Sequence, residues 1–137
     1  MSVMGLDYGT KTVGVAISDS MLITAQPIET ITRKNESKLR RTYARIRELV
    51  AEHDVDQIVV GDPKNMDGSP SEMSDKARAF AEELGVKTGL PVMLVDERLT
   101  TMEAGEVLSD AGVPEYEQKQ HIDKIAAALI LRDYLNM

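Results

Sequence analysis

The sequence predicts an α/β protein whose central sheet mixes antiparallel and parallel strands. Three strand-like segments come first, with no helix between them, which is typical of an antiparallel meander. Helical and strand-like segments then alternate, which indicates βα crossovers that cover the faces of the sheet. The length of 137 residues, with 42% hydrophobic and 28% charged residues, fits a globular domain of ordinary size. We therefore expect one domain over residues 1–137.

The first three strands are predicted from short apolar runs separated by turn residues. Val3–Tyr8 and Thr12–Asp19 are joined by a short segment that contains Gly9, as in a hairpin. Ile23–Thr32 is rich in β-branched residues and makes a third strand, in which Pro27 favours a sheet edge or a bulge.

The pattern then changes to helical spacing. Apolar residues recur at intervals of three and four over Ser37–His53, which predicts an amphipathic helix. Asp56–Val60 has the apolar run of a buried strand. The next helix is predicted to begin with Ser69 as N-cap, Pro70 in the first helical position and Glu72 closing a capping box.

The last part of the chain adds one strand and two helices. The helix just described is expected to end near Gly85, and Pro91–Val95 is the fifth strand. A capping box at Thr100–Glu103 begins a helix that ends at Gly112. A final helix is predicted over Glu115–Leu135.

Composition excludes several classes of protein. There is no cysteine, which excludes disulfides, a thiolate nucleophile and a cysteine-based zinc site. No apolar run reaches the roughly 18–20 residues that cross a bilayer, and the first residues lack the pattern of a secretory signal. We therefore expect a cytoplasmic protein that does not bind membranes.

Charge is distributed unevenly. The net charge is −7, which on its own argues against a nucleic-acid binder. Residues 33–47, however, hold seven basic side chains and one acid, whereas the rest of the chain holds nine basic and 22 acidic residues. This basic segment is a natural nucleic-acid surface. Its cations spread around the helical wheel, so a merely solvated helix face is the alternative.

Two acidic residues occupy positions that favour a metal site. Asp7 ends the first strand, where it either organises the turn or faces a metal ion. Asp123 is in line with Ala127, Ile130 and Tyr134 on a helix that is apolar on more than one side. A carboxylate there needs a partner, either a lysine such as Lys124 or Lys119, or a metal.

A third acid is expected at the end of the fifth strand. Asp96 and Glu97 are adjacent, so their side chains point to opposite faces and only one of them can share a site with Asp7. The alternative is a solvated loop in which Arg98 pairs with these acids. Three acids from distant segments are what Mg²⁺ or Mn²⁺ requires, because both ions prefer oxygen ligands.

Four segments together resemble the YqgF family, whose members are described as pre-16S rRNA nucleases and as Holliday junction resolvases. The segments are GLDYGTK at 5–11, VGDPKNMDG at 60–68, DERLTT at 96–101 and DKIAAALIL at 123–131. The resemblance implies an RNase H-like fold with a five-stranded mixed sheet in the order 3-2-1-4-5. It also implies a divalent-metal-dependent nuclease.

The resemblance assigns the metal-binding and catalytic acids to Asp7, Glu97 and Asp123. Asp96 is the substitute for Glu97. Asp62 departs from the family's pattern, in which an apolar residue commonly stands between this glycine and proline, and it is a further weak candidate for a ligand.

Several polar residues are candidates for binding phosphate. Lys11 lies in the first turn and Arg98 beside the acids. Asn65 belongs to a loop that leads into a helix N-terminus, where amide groups bind anions. In the basic segment we select Arg40 and Arg41.

Three functions compete at this point. The expected function is hydrolysis of precursor 16S rRNA near its 5′ end, with ribosomal particles as partners, and the nearest alternative is resolution of a Holliday junction in DNA. A noncatalytic RNA- or ribosome-binding module is the third. Asp7–Thr10 also resembles a phosphate loop of actin-like ATPases, but those close two such domains around ATP. The sequence leaves the oligomeric state, monomer or homodimer, open.

Overall fold

A computed structural model describes residues 1–97, 100–118 and 121–137, with the backbone only for 100–103. It contains one five-stranded sheet in the order β3-β2-β1-β4-β5. The strands are β1 (Ser2–Tyr8), β2 (Thr12–Ser18), β3 (Ala25–Thr32), β4 (Val55–Asp62) and β5 (Val92–Asp96). The first three form an antiparallel meander, and β4 and β5 continue parallel to β1. The predicted mixed sheet and its strand order are confirmed.

Helices cover both faces of the sheet. They are α1 (Arg40–Glu52), α2 (Glu72–Thr88), α3 (Thr100–Asp110), the short α4 (Glu115–Gln118) and α5 (Ile122–Leu135). Helices α1 and α2 enclose the larger apolar cluster on one face, and α5 encloses a second cluster on the other. Among the described residues, no helix is long and apolar enough to cross a membrane.

Two glycines allow α5 to lie close to the sheet. A side chain at Gly5 would approach Leu131 Cβ to 2.8 Å, and one at Gly14 would overlap the backbone carbonyl of Asp123. Gly14 is paired with Asp7 in the antiparallel register of β1 and β2. The close contact at Gly14 therefore brings the first turn of α5 next to the end of β1.

The start of α2 differs from the prediction. The N-cap is Ser71 rather than Ser69, and the capping box is closed by Ser74 rather than Glu72: each serine hydroxyl accepts the other's backbone N–H at 3.1 Å. Ser69 is not available as a cap because its N–H and hydroxyl both donate to Asp67, at 2.9 and 2.6 Å.

Other helix boundaries also shift. Helix α2 continues past Gly85 to Thr88 and ends at Gly89, whose φ of 71° is the left-handed conformation that glycine adopts readily. Helix α1 begins at Arg40, three residues after the predicted start. The predicted last helix is two helices, α4 and α5, with residues 119–120 outside the described part.

Candidate metal-dependent active site

Asp7 lies where β1 reaches the carboxyl edge of the sheet. Side chains alternate along β1, so Leu6 and Tyr8 face α1 and α2 whereas Asp7 is on the side of α5. Its carboxyl group hydrogen-bonds to Glu97. Burial raises the pKa of Asp7, the hydrogen bond with Glu97 lowers it, and the negative charge of Asp123 raises it further. This carboxylate therefore lacks enough positive charge nearby to offset its loss of water.

Glu97 follows β5 and is buried beside Asp7. Its backbone N–H donates to the Asp62 carbonyl at 3.1 Å, which fixes the direction of the chain as it leaves β5. A side chain on Gly61 would approach Glu97 Cδ to 2.5 Å, so glycine leaves room for the carboxyl group. The pKa of Glu97 is raised by burial and then by the negative charge of Asp7, with smaller effects from Asp62 and Asp96.

Asp123 completes a group of three acids around one cavity. The residue lies in the first turn of α5, above Gly14, and forms no ion pair among the described residues; Lys119, one predicted partner, lies outside them. The cavity has a volume of about 290 Å³. It is lined by these three acids together with Tyr8, Gly9, Pro63, Lys64 and Met73. Three acids that are far apart in the sequence thus converge on one cavity at the end of the central strand.

The two weaker candidates lie outside this cavity. Asp96 is exposed at the end of β5, opposite Asp62 in the register. Asp62 is buried, and its Oδ2 accepts from the Arg78 guanidinium at 3.2 Å. Its Oδ1 has no hydrogen-bond partner among the described residues. The structure thus brings Glu97, and neither Asp96 nor Asp62, into the cavity with Asp7.

The donor set of the cavity fits a hard divalent cation. Asp7 and Glu97 share a hydrogen bond. Among the described residues, no three acids or histidines are arranged closely enough around one point to hold an ion in this state. Yet Glu97 Oε1 is buried without a partner among the described groups. Carboxylate oxygens in a site short of positive charge are the ligands that Mg²⁺ and Mn²⁺ prefer.

Two of the predicted phosphate-binding residues outside the basic segment, Lys11 and Asn65, do not line the cavity. Lys11 is exposed in the turn after β1, and Arg98 lies outside the described residues. Asn65 is occupied within its own loop, where its amide donates to Ser69 Oγ at 3.1 Å and to the Pro70 carbonyl at 3.3 Å. Its side chain therefore holds the loop together and does not line the cavity.

Lys64 is a site residue that sequence reasoning missed. It follows Pro63 at the carboxyl edge of β4 and lines the cavity of the three acids. Its backbone N–H donates to the Asp62 carbonyl at 2.9 Å, and its ammonium group makes no hydrogen bond or ion pair with any other described residue. The signal that points to it is its position just after a central parallel strand, where side chains of α/β proteins meet substrates. Lys64 thus adds a positively charged residue to a cavity that is lined by three acids.

The basic segment contains both structural and exposed cations. Arg33 donates to the Gly9 carbonyl at 2.6 Å and lies over the Tyr8 ring, so it supports the turn beside the site. Arg45 forms a bidentate pair with Glu29, at 2.8 and 3.0 Å. Arg40 and Arg41 are exposed on α1. The segment therefore offers fewer free cations to a ligand than its composition suggests.

The sequence is similar to a family of nucleases throughout its length. The model of the RuvX family, described as Holliday junction resolvase, matches residues 1–137. A Lachnospira eligens protein named "Putative pre-16S rRNA nuclease" is 57% identical over 135 residues, covering 98% of this chain and 96% of the relative. A Listeria innocua protein of the same name is 48% identical over 136 residues, covering 99% and 98%.

Solved structures of junction resolvases share the fold. Thermus thermophilus RuvC in complex with a Holliday junction substrate matches with a TM-score of 0.58 and 17% identity, covering 98% of this chain and 93% of the other. The fowlpox virus Holliday junction resolvase matches with a TM-score of 0.57 and 18% identity, covering 99% of each chain. At these identities the likeness concerns the fold, and it confirms the predicted RNase H-like class.

Proposed function

Because the chain belongs to the RuvX family, we propose that it is a divalent-metal-dependent nuclease that hydrolyses phosphodiester bonds. The observation that supports this most directly is the convergence of Asp7, Glu97 and Asp123 on one cavity. A binding module has no need for three carboxylates that face one cavity, two of which are buried at the cost of a raised pKa. The acids therefore favour an enzyme over the noncatalytic alternative.

The three carboxylates are the groups that would hold Mg²⁺ or Mn²⁺. Such an ion supplies the activation of a water molecule and the neutralisation of charge on the phosphate. Asp7 lies at the end of β1 and Glu97 directly follows β5, so these strand ends fix the direction of the two carboxylates. Asp123 approaches the cavity from α5, which packs on one face of the sheet. Lys64, which follows the strand between β1 and β5, would contact a non-bridging phosphate oxygen, and Lys11 and Arg98 are further candidates for that contact.

The substrate we propose is precursor 16S rRNA, cut near its mature 5′ end during ribosome biogenesis. The support is the name shared by relatives that are 48% and 57% identical over nearly the full chain. We infer from this substrate a cytoplasmic location and contact with ribosomal particles. Single-strand cleavage of RNA does not require a second subunit.

Resolution of a Holliday junction is the second candidate. It is supported by the description of the matching family. Symmetric cleavage of two strands calls for a two-fold dimer, so this candidate predicts a homodimer in solution.

Cleavage assays with two substrates separate the candidates. The purified chain is incubated with Mn²⁺ and either a precursor 16S rRNA fragment or a four-way DNA junction, beside the Asp7→Asn variant. We expect wild-type cleavage of the RNA near the mature end and none by the variant. Preferential cleavage of the junction selects the second candidate. Equal inactivity of both proteins, with RNA binding retained, contradicts a nuclease.

A further inference from the structure

The end of β4 is bonded to two residues of the candidate site. The Asp62 carbonyl accepts two hydrogen bonds, from the Glu97 N–H at 3.1 Å and from the Lys64 N–H at 2.9 Å. Glu97 is a candidate metal ligand, and Lys64 brings a positively charged residue to the same cavity. One carbonyl oxygen, on the last residue of β4, therefore sets where the backbones of both site residues lie.

The side chain of Asp62 connects this strand end to α2. The neighbouring residues offer no such connection, since Gly61 has no side chain and Pro63 has no N–H with which to extend the strand pairing. Asp62 is in step with Val60, so its side chain lies on the face covered by α1 and α2, away from the cavity. There its Oδ2 accepts from the Arg78 guanidinium of α2 at 3.2 Å.

The two members of this ion pair differ in exposure. The side chain of Asp62 is 4% exposed and that of Arg78 is 45% exposed. The second carboxylate oxygen, Oδ1, is buried with no hydrogen-bond partner among the described residues. A buried carboxylate with so few partners is costly, and an apolar residue of similar volume is often at least as stable in such a place. Stability therefore does not explain the pair, whereas a fixed connection between α2 and the end of β4 does.

We infer that Asp62 and Arg78 are positioning residues, which act through the Asp62 carbonyl to hold Glu97 and Lys64 in place at the cavity. The inference rests on the proposed nuclease function and adds to it a connection from α2 to a candidate metal ligand. Neither member of the pair lines the cavity, so neither is assigned a contact with metal or substrate.

Amide hydrogen exchange of the metal-free full chain, followed by NMR in EDTA, tests this connection. We expect Arg78→Met to speed exchange of the Glu97 amide at least about tenfold relative to amides of β1 and β2, because its bond to Asp62 opens more often. Lys87→Met is the matched control, since it breaks a pair with Glu83 at 3.7 Å that lies within α2. Wild-type exchange at Glu97 in Arg78→Met, or equal acceleration by both variants, would overturn the inference.

Changes at Asp62 keep the test decisive even if Arg78→Met does not fold. Asp62→Leu leaves no buried charge unpaired, and we expect it to speed exchange at Glu97 because leucine cannot pair with Arg78. Adding Arg78→Met to Asp62→Leu should have no further effect, since the arginine acts through the carboxylate. Arg78→Lys keeps a cation near Oδ2 and should retain most of the protection. Wild-type protection in Asp62→Leu, or additive effects in the double variant, would contradict the inference.

Cleavage in Mn²⁺ shows whether the candidate site depends on the connection. Misplacement of a ligand lowers kcat, and we expect a loss of about 10- to 100-fold in Arg78→Met, most of it regained in Arg78→Lys. In EDTA, Arg78→Met should bind RNA as wild type does, because the pair does not touch substrate. Weaker RNA binding by Arg78→Met would make Arg78 a substrate contact and overturn the inference.

The two readouts separate this inference from the proposed function. If wild type does not cleave but the exchange pattern holds, the nuclease proposal fails and the connection from Arg78 to Glu97 stands. If wild type cleaves and Arg78→Met cleaves equally well, the positioning role fails and the nuclease stands, whatever the exchange at Glu97.

Discussion

Glu97 and Asp96 are neighbours in the chain, but their side chains lie in different environments. Glu97 is buried against Asp7, and Asp96 is exposed. If Glu97 holds the metal, Glu97→Gln removes a ligand whose contribution to the transition state is several kcal/mol. We expect kcat/KM for cleavage to fall at least about 100-fold. Asp96→Asn, the matched control, is expected to stay within a factor of about three.

Steady-state cleavage of a fluorescent substrate in Mn²⁺ measures both variants. The reverse order, with Asp96→Asn inactive and Glu97→Gln active, would move the ligand to the exposed side of the strand end. Because burial raises the pKa of Glu97, folding of the metal-free protein at neutral pH has to protonate this carboxyl group, a cost that glutamine does not have; metal-free Glu97→Gln should therefore be at least as stable as wild type. A loss of activity is then not a loss of fold.

The metal-free site also predicts how stability depends on pH. Burial raises the pKa of Glu97 and of Asp7 in the folded chain. Such a group stabilises the fold at pH values below its unfolded pKa, and that contribution is lost as pH rises toward the folded pKa. For Glu97 the loss begins above its ordinary value of 4.5.

Urea denaturation in EDTA between pH 5 and pH 9 measures this effect. We expect the free energy of unfolding to decline with pH more steeply for wild type than for Glu97→Gln. Parallel pH profiles for the two proteins would show that the carboxyl group of Glu97 is not withdrawn from water.

At the scale of elements, the contact between α5 and β2 positions Asp123. Gly14 lies beneath the backbone of Asp123. A methyl group added to Gly14 would overlap the Asp123 carbonyl, and a backbone carbonyl is not able to move aside as a flexible side chain would. Gly14→Ala therefore has to displace the start of α5. We expect it to cost about 1–3 kcal/mol of stability, as for overpacking, and to reduce metal-dependent cleavage.

Gly105→Ala is the control for that substitution. Gly105 lies in α3, where no atom of the described residues outside its own helical turn comes within 4 Å of an added methyl group, so alanine should stabilise the helix by up to about 1 kcal/mol. Urea denaturation of both variants tests the pair. A neutral or stabilising Gly14→Ala would mean that α5 is not held against the sheet as described.

Element boundaries show where sequence reasoning reaches its limit. The five strands and the first three helices follow from periodicity and agree in order with the prediction, whereas the single last helix that the sequence predicts is two helices, α4 and α5. For the N-cap of α2, the pattern of serine, proline and glutamate predicts Ser69, whereas the structure has Ser71. The hydroxyl of Ser69 donates to Asp67 instead, and that bond depends on the shape of the loop, which the pattern does not describe. Local patterns do not reveal which of two serines is already occupied.

At the scale of the whole molecule, the topology brings the acids together. Parallel strands β1, β4 and β5 end at one edge of the sheet, so Asp7 and the residue after β5 were expected to be close. The apolar stripe leaves Asp123 with either a lysine or a metal as its partner, and the family resemblance assigns it to the site; the structure places its backbone over Gly14. The choice between Asp96 and Glu97, and the presence of Lys64 in the cavity, depended on side-chain directions at strand ends, which periodicity does not supply.

The most direct test of the account is the position of Mn²⁺ in a crystal of the full chain, read from its anomalous scattering. We expect a peak in the cavity about 2.1 Å from oxygens of Asp7, Glu97 and Asp123. A peak bound elsewhere, or an empty cavity in Mn²⁺ concentrations that support cleavage, would contradict it.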